Sequence, residues 1–439
     1  MNFWTPQTGK MGDGWAYTYN ADKIRGIKQT HQPSPWINDY GQFAIMPTTG
    51  TPVFDQDKRA SWFSHKAETA RPYYYKVYLA DYDVTAEITP TERAAAMRIT
   101  FPQCDSSMVV IDAFDRGSAI TVIPAENKIV GFTTRNSGGV PENFRNYFEI
   151  VFDRPFSYVA TVDDGNIVSG RLSIDANHAG AIVGFATKRG DVVNARIASS
   201  FISHEQAHRN LAELGDGNFD RIKADALARW NDVLGRITVD DPDIDRLRTF
   251  YSCLYRSVLF PRSLYEIDAD GNPIHYSPYN GQTLPGYMFT DTGFWDTFRC
   301  LFPLLNLVYP SMNVKMQEGL SNTILSIAID ETTGMVYIGT DKGLCSYQSE
   351  AGPTNEEMTT DNVWAYPNPV TPDYSGVITV TGLSLNTDVK ILSAAGTLVK
   401  QGRSTGGSFV WDGNDADGKR VASGVYMVVT ATESGEKRT

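Results

Sequence analysis

Cysteine, positive charge and long apolar runs are all scarce in this sequence, and each shortage removes a class of protein. The four cysteines among 439 residues, Cys104, Cys253, Cys300 and Cys345, stand too far apart for a CxxC pair or a zinc motif. They leave two readings open: buried free thiols, or a disulfide between Cys253 and Cys300, which fall in two apolar helical stretches. No run of about 18 apolar residues occurs, so no helix of the length a bilayer requires is expected. The opening, MNFWTPQTGKMGDGWAYTYN, has no basic patch followed by an apolar core and does not read as a signal peptide. Lys and Arg number 39 against 51 Asp and Glu, a formal charge of -12. Such a surface repels phosphate backbones, which argues against nucleic acid as a partner.

Aromatic residues are plentiful at 12% of the chain, with 22 Tyr, 21 Phe and 8 Trp. Flat rings fill cores at little entropic cost, and they also stack on sugar faces. Their distribution follows the changes of pattern along the chain. Residues 1–205 carry short β-type runs separated by turn signals, with period-two alternation from Tyr73 to Tyr82 and from Asn146 to Phe152. Many short strands at this spacing predict an antiparallel sandwich. After Ser203 the period becomes helical. HEQAHRNLAEL reads as one helix, and FDRIKADALARWNDVLGRI as a second, with Ile222, Ala226, Trp230 and Leu234 on one stripe. A third starts at Asp243 and buries Ile244, Leu247, Tyr251, Leu254 and Val258.

Residues 206–240 therefore read as linker helices and 241–318 as the incomplete start of a helical barrel. TDTGFWDTFRCLFPLLNLVYP is a further helix, bent at Pro303. Its leucines 301, 304, 305 and 307 lack their usual cover in an unclosed barrel, so self-association is expected. Composition shifts abruptly at 315–321, which reads as a join between unlike segments. Residues 321–350 form one sheet repeat, 351–362 a linker, and 363–439 a small immunoglobulin-like β-module whose inward positions include Val389, Ile391, Leu398, Val425, Met427 and Val429. The fold class is mixed and multidomain: sandwich, barrel opening, then a second, smaller sandwich.

Two segments have the chemistry to bind a sugar. GIKQTHQPSPWINDYGQFAIMP holds polar tips between prolines that restrict the loop, with Trp36 as a stacking platform and His31 or Asp39 bonding hydroxyls. A well-packed loop around a buried Trp is the competing reading. In the second segment, Trp295, Asp296 and Arg299 offer a flat face plus a charged acceptor and donor for vicinal hydroxyls. A helix-start Asp paired with Arg299 explains the same residues. HEQAH fits H-E-x-x-H letter by letter, but no third zinc ligand follows in sequence. DGNDADGK, 412–419, has the look of a calcium loop without its twelfth-position Glu.

Four stretches, GIKQTHQPSPWINDYGQFAIMPTTG, NYFEIVFDRPF, FYSCLYRSVLFPRSLYEID and DTGFWDTFRCLFPLLNLVYP, together resemble glycoside hydrolase family 92 over roughly residues 10–318. That resemblance implies a sandwich joined to an (α/α)6 barrel in a secreted or periplasmic, calcium-dependent exo-α-mannosidase that inverts configuration. It implies that Trp36 stacks on the sugar with His31 in the same loop. Trp295 and Asp296 match the family's WD pair in the glycone pocket, with Arg299 in the supporting helix. The substrates implied are α-mannosides or mannose-containing glycans. Two departures stand out: the family's stretch before Gly14 is not matched, and its general acid, base and most calcium ligands belong to regions after the WD helix. Weak or absent catalysis is therefore expected. Ser321–Tyr347 resembles a β-propeller sensor repeat, and Trp364–Thr430 resembles the C-terminal modules of secreted Bacteroidetes proteins bearing a type IX sorting signal.

Overall fold

The period-two stretches of the first two hundred residues become two antiparallel sheets. In this computed structural model the described residues are 2–11, 16–31, 39–290, 297, 300–320, 324–330, 335–340, 343–348, 362–371, 374, 376–404, 406–432 and 437–438. One sheet has seven strands, in the spatial order Phe3–Gln7, Gly26–Thr30, Ala44–Thr49, Cys104–Asp112, Ala179–Thr187, Tyr158–Asp163 and Asn166–Ser169. The other has nine: Ser173–Ala176, Ser118–Ile123, Lys128–Thr133, Asn146–Phe152, Val192–Ser200, Ala94–Thr100, Val84–Pro90, Tyr74–Leu79 and Thr69–Arg71. Both predicted alternating runs lie in the second sheet. Ile45, Val109, Ile111 and Val183 of one sheet and Val77, Met97, Ile99, Phe148, Ile150 and Ile197 of the other belong to one continuous buried core. Each such side chain contributes about 1.5–3 kcal/mol on burial, so this core dominates the stability of the sandwich. Gly131 is required by it, since a Cβ there would lie 2.5 Å from both the Ala119 carbonyl oxygen and the Phe148 ring.

A triad built on the fully buried Arg59–Asp112 ion pair, with the partly exposed His178 as third member, lies within the sandwich. The Arg59 guanidinium, 0% exposed, donates to Asp112 Oδ2 at 2.6 Å, and His178 Nε2 lies 2.7 Å from Asp112 Oδ1. Arg59 also donates to the carbonyls of Phe54 and Arg25, and Asp112 accepts the Phe114 amide. Burial alone raises a carboxyl's pKa, yet the Arg59 charge and the His178 bond hold Asp112 well below the ordinary range. Every polar atom of the triad's centre is thus compensated, and removing one partner leaves a buried charge exposed to a low dielectric.

Beyond the sandwich lie helices α1 (His204–Asn210), α2 (Phe219–Leu234), α3 (Ile244–Ser257), α4 (Leu301–Val308) and α5 (Pro310–Leu320). The expected single helix at HEQAHRNLAEL tightens to a 3-10 turn over Leu211–Leu214. Ser203, Asn218 and Asp243 cap α1, α2 and α3, each accepting a backbone N–H of the first turn. Helix α2 packs on the outer face of the nine-stranded sheet, where Ala94, Ala96 and Ala198 leave room for Phe219 and Ile222. Arg98 ties it down, lying 4.3 Å over the Phe219 ring and 3.0 Å from the Asp220 carboxylate.

Helix α3 departs from expectation at its start. Leu254 is buried, but Ile244 is 56% exposed, because it begins the helix at the solvent side. Pro303 falls in the first turn of α4, where a backbone N–H has no intrahelical acceptor, so its missing N–H breaks no bond of that helix; residues 291–296, 298 and 299 of the longer helix expected there lie outside the described residues. Of the four leucines expected to lack cover, only Leu307 is largely exposed, at 84%; Leu305 is fully buried. The cysteines described are free thiols, as the first reading had it, but they are not buried, and no disulfide joins Cys253 to Cys300. Cys253 and Cys300 are free and exposed, and Cys104 is free and half-buried. Cys253 lies 100° round α3 from buried Leu254, which turns it toward water.

The chain divides into two compact units, Met1–Gly293 with Arg299–Met316, and Phe294–Phe298 with Gln317–Thr439. In the second unit, Ile324–Asp330, Met335–Thr340 and Gly343–Gln348 form an antiparallel meander. Its C-terminal part has a three-stranded and a four-stranded sheet, with Val380, Leu383, Val389, Ile391, Phe409 and Trp411 as core. The period expected of the last strands holds, but its phase is reversed. Leu398, Val425 and Met427 are exposed, while Val399, Tyr426 and Val428 pack on the core. Register decides this: inward Ile391 pairs with Val428, and Val389 with Thr430, so Met427 must point outward.

The triad gives a stability prediction. Replacing Asp112 by Asn should remove about 3–5 kcal/mol from the unfolding free energy measured in urea. An unchanged denaturation midpoint would show that the triad is not an energetic anchor.

Candidate functional site

The strand Gly26–Thr30 ends at the Pro-rich loop, and the next strand resumes at Ala44. Asp39 fastens the loop's two ends together. Its Oδ1 accepts the amides of His31 at 2.9 Å and Tyr40 at 2.8 Å, and its Oδ2 accepts the Thr30 hydroxyl at 2.7 Å. Lys28 Nζ lies 3.8 Å from the same carboxylate and donates to Gln42 Oε1. His31 is 2% exposed and its ring packs 4.7 Å from Phe201. Its Nδ1 is 2.6 Å from the Tyr40 carbonyl oxygen, so Nδ1 carries the proton and Nε2 is a buried acceptor with no partner among the described residues. Burial pushes its pKa down to about 3, so the ring is neutral at ordinary pH. Gly41 closes the loop at φ +64°, with its N–H on the Arg135 carbonyl, in a space where a Cβ would meet Asn146 at 2.4 Å.

The structure thus places His31 and Asp39 as braces of the loop. Trp36 lies outside the described residues, as do Trp295, Asp296 and Arg299. Around Asp39 the structure adds basic groups that sequence reasoning missed. Arg262, 3% exposed, acts electrostatically on Asp39 and His31, and burial pushes its pKa down to about 10 against the pull of the carboxylate. Arg262 is also strand-paired with Thr290, the residue that precedes 291–296. No local pattern marks Arg262, because Asp39 and His31, on which it acts, lie more than two hundred positions away.

A second missed residue is Glu266, which is 0% exposed. Its carboxylate accepts the Phe201 amide at 2.9 Å and Asn210 Nδ2 at 2.8 Å, with a further bond from Ser200. Asn210 also donates to the Ser199 carbonyl, Gln206 donates to the Ile267 carbonyl, and Arg93 donates to the Tyr265 carbonyl. Strand Tyr265–Ile267 is thereby fastened to the sandwich and to α1. Burial outweighs these donors and pushes the Glu266 pKa up to about 7.

The HEQAH residues hold no metal constellation. His208 Nδ1 meets Glu149 Oε1 at 2.9 Å, and His204 packs its ring 4.8 Å from Tyr147. Calcium takes six to eight oxygen ligands, about 2.3–2.6 Å away, usually with several carboxylates. Among the described residues no three His, Cys, Asp or Glu side chains converge for a metal. In the 412–419 turn, Asp412 accepts the Asn414 amide and Asp415 those of Asp417 and Lys419. These residues do not fit a calcium site.

The chain belongs to glycosyl hydrolase family 92: residues 1–200 match its N-terminal domain and residues 206–328 its catalytic domain. An inverting family 92 mannosidase from Bacteroides thetaiotaomicron is 43% identical with a TM-score of 0.71, over 73% of this chain and 43% of that one. A second B. thetaiotaomicron α-mannosidase of the family, solved with mannoimidazole, is 26% identical with a TM-score of 0.65, over 73% of this chain and 44% of that one. The chain therefore spans less than half the length of these relatives. No curated protein matches it. Among the described residues no helix is long and apolar enough to cross a membrane.

Glu266 yields a pH prediction. A carboxyl whose folded pKa exceeds its unfolded value takes up protons on folding, so stability falls as pH rises from about 4.5 to about 7. The stability difference between wild type and Glu266→Gln should change by about 3 kcal/mol across that window. Parallel curves for the two proteins would mean Glu266 does not titrate there.

Proposed function

We propose that this chain recognises terminal α-linked mannose and turns it over weakly or not at all. Trp36 supplies the stacking face, and Trp295, Asp296 and Arg299 supply the second apolar surface and the bonds to hydroxyls. His31 and Asp39 act by holding the Trp36 loop in shape. The observation that carries this reading is the Asp39 staple: a buried carboxylate spends its acceptors on both ends of a proline-rich loop, which presents the loop's tip at little entropic loss on binding. The names of the relatives supply the sugar, since one is an inverting mannosidase and another holds mannoimidazole.

Hydrolysis with inversion needs a proton donor at the leaving oxygen and a base on the attacking water, about 6.5–9.5 Å apart. By family resemblance both, and most ligands of the calcium that the family uses, belong to regions following the WD segment. Gripping a mannoside without that pair gives binding and no cleavage. The C-terminal module, by its likeness to type IX sorting modules, supports secretion to the cell surface, where mannose-containing glycans are met.

Two measurements test the reading. Titration with an α-1,2-linked mannobiose should show binding that Trp36→Ala weakens about tenfold, the loss of about 1.4 kcal/mol of stacking. Mannose release from the same disaccharide should stay at background with or without a chelator. Brisk calcium-dependent release would overturn the proposal that this chain only binds.

A further inference from the structure

The outer edge of the nine-stranded sheet holds a cleft of about 500 Å³ whose lining includes Arg116, Phe132, Asn136, Glu142, Arg145 and Asp175. Neither His31 nor Asp39 lines it. Arg145 is fixed in place: its guanidinium lies 5.2 Å over the Phe132 ring, and Nη1 donates to the carbonyls of Glu142 and Phe144. Arg116 occupies a left-handed backbone conformation, φ +75°, that side-chain-bearing residues seldom adopt. The Thr134 hydroxyl bonds its carbonyl, and Arg116 Nη1 donates to the Asn136 carbonyl at 3.0 Å. A glycine would accept this turn without strain, so the strained arginine calls for a reason beyond the turn itself.

Among the described residues, Arg116, Arg145, Glu142 and Asp175 form no ion pair with another side chain. Two donors and two acceptors of opposite charge therefore line one cleft without neutralising each other in direct contact. Their charges cancel in sum, so an ion gains little net attraction, whereas a neutral molecule carrying adjacent hydroxyls satisfies both kinds of group. We propose that this cleft is a binding site for a neutral pyranoside, with Arg116 and Arg145 donating to its hydroxyls and Glu142 and Asp175 accepting from them. The site holds glycan on the sandwich independently of the Trp36 loop. The demand for a neutral polyol comes from the cleft; mannan as the probe rests on the proposed function.

The test is affinity electrophoresis of the full chain through gels containing α-mannan or a sulfated polysaccharide. The double variant R116G/D175N relaxes the strained turn while removing one guanidinium and one carboxylate charge, so it should fold. The expected result is retardation of the wild type by mannan, an apparent affinity at least fivefold lower in R116G/D175N, and residual retardation in Trp36→Ala. Loss of all retardation in Trp36→Ala would assign binding to the loop alone and overturn the cleft. So would equal retardation of R116G/D175N and wild type, no retardation of the wild type, or retardation only by the sulfated polymer. Failure of the loop reading alone looks different: Trp36→Ala then behaves as wild type while R116G/D175N does not.

Discussion

A single buried carboxylate holds the strand that follows α3 against the rest of the molecule. Glu266 reaches from Tyr265–Ile267 into the joint between the last sandwich strand and α1, where it takes bonds from Phe201, Ser200 and Asn210. Arg93 and Gln206 reinforce the joint from either side by donating to the carbonyls of Tyr265 and Ile267. An apolar contact would hold the surfaces together but leave their relative sliding cheap. Directional bonds to a buried acid fix the register, at the expense of a carboxyl that burial makes reluctant to ionise. Arg262 lies four residues before Glu266, so the same joint sets the position of the charge that faces Asp39.

The polar groups near the Pro-rich loop follow the same logic. Asp39 and His31 are the residue types expected to touch a sugar, yet the Asp39 carboxylate and His31 Nδ1 are bonded to groups of the loop's own two ends. A loop so fastened loses less entropy when its tip meets a ligand. Lys28, Gln42, Arg135 and Arg262 enclose the staple with buried polar and basic groups. Support of the loop's base is thus the task of Asp39, and the proposed binding by the tip falls to other residues of the same segment. The Arg59–Asp112–His178 triad plays the corresponding supporting role inside the sandwich, where paired charges replace apolar filling.

Much of this was legible from local pattern. Strand periodicity over Tyr74–Leu79 and Asn146–Phe152, the helix start at Asp243 and the Ile222–Leu234 stripe all depend on neighbours within a turn or a strand. The long family motifs were equally readable, and the matches over 1–200 and 206–328 agree with them. Where the reading slipped, a distant partner was responsible. Met427 turned outward because Ile391, on another strand, pairs with Val428.

The amino-acid order alone determined the element types, the sandwich and the family, since period, capping and motif are properties of adjacent residues. Tertiary structure decided what each polar side chain does. Whether a carboxylate binds a ligand, braces a loop like Asp39 or retains its proton like Glu266 depends on donors, charges and solvent supplied by segments remote in the chain. Those surroundings exist only once the chain has folded.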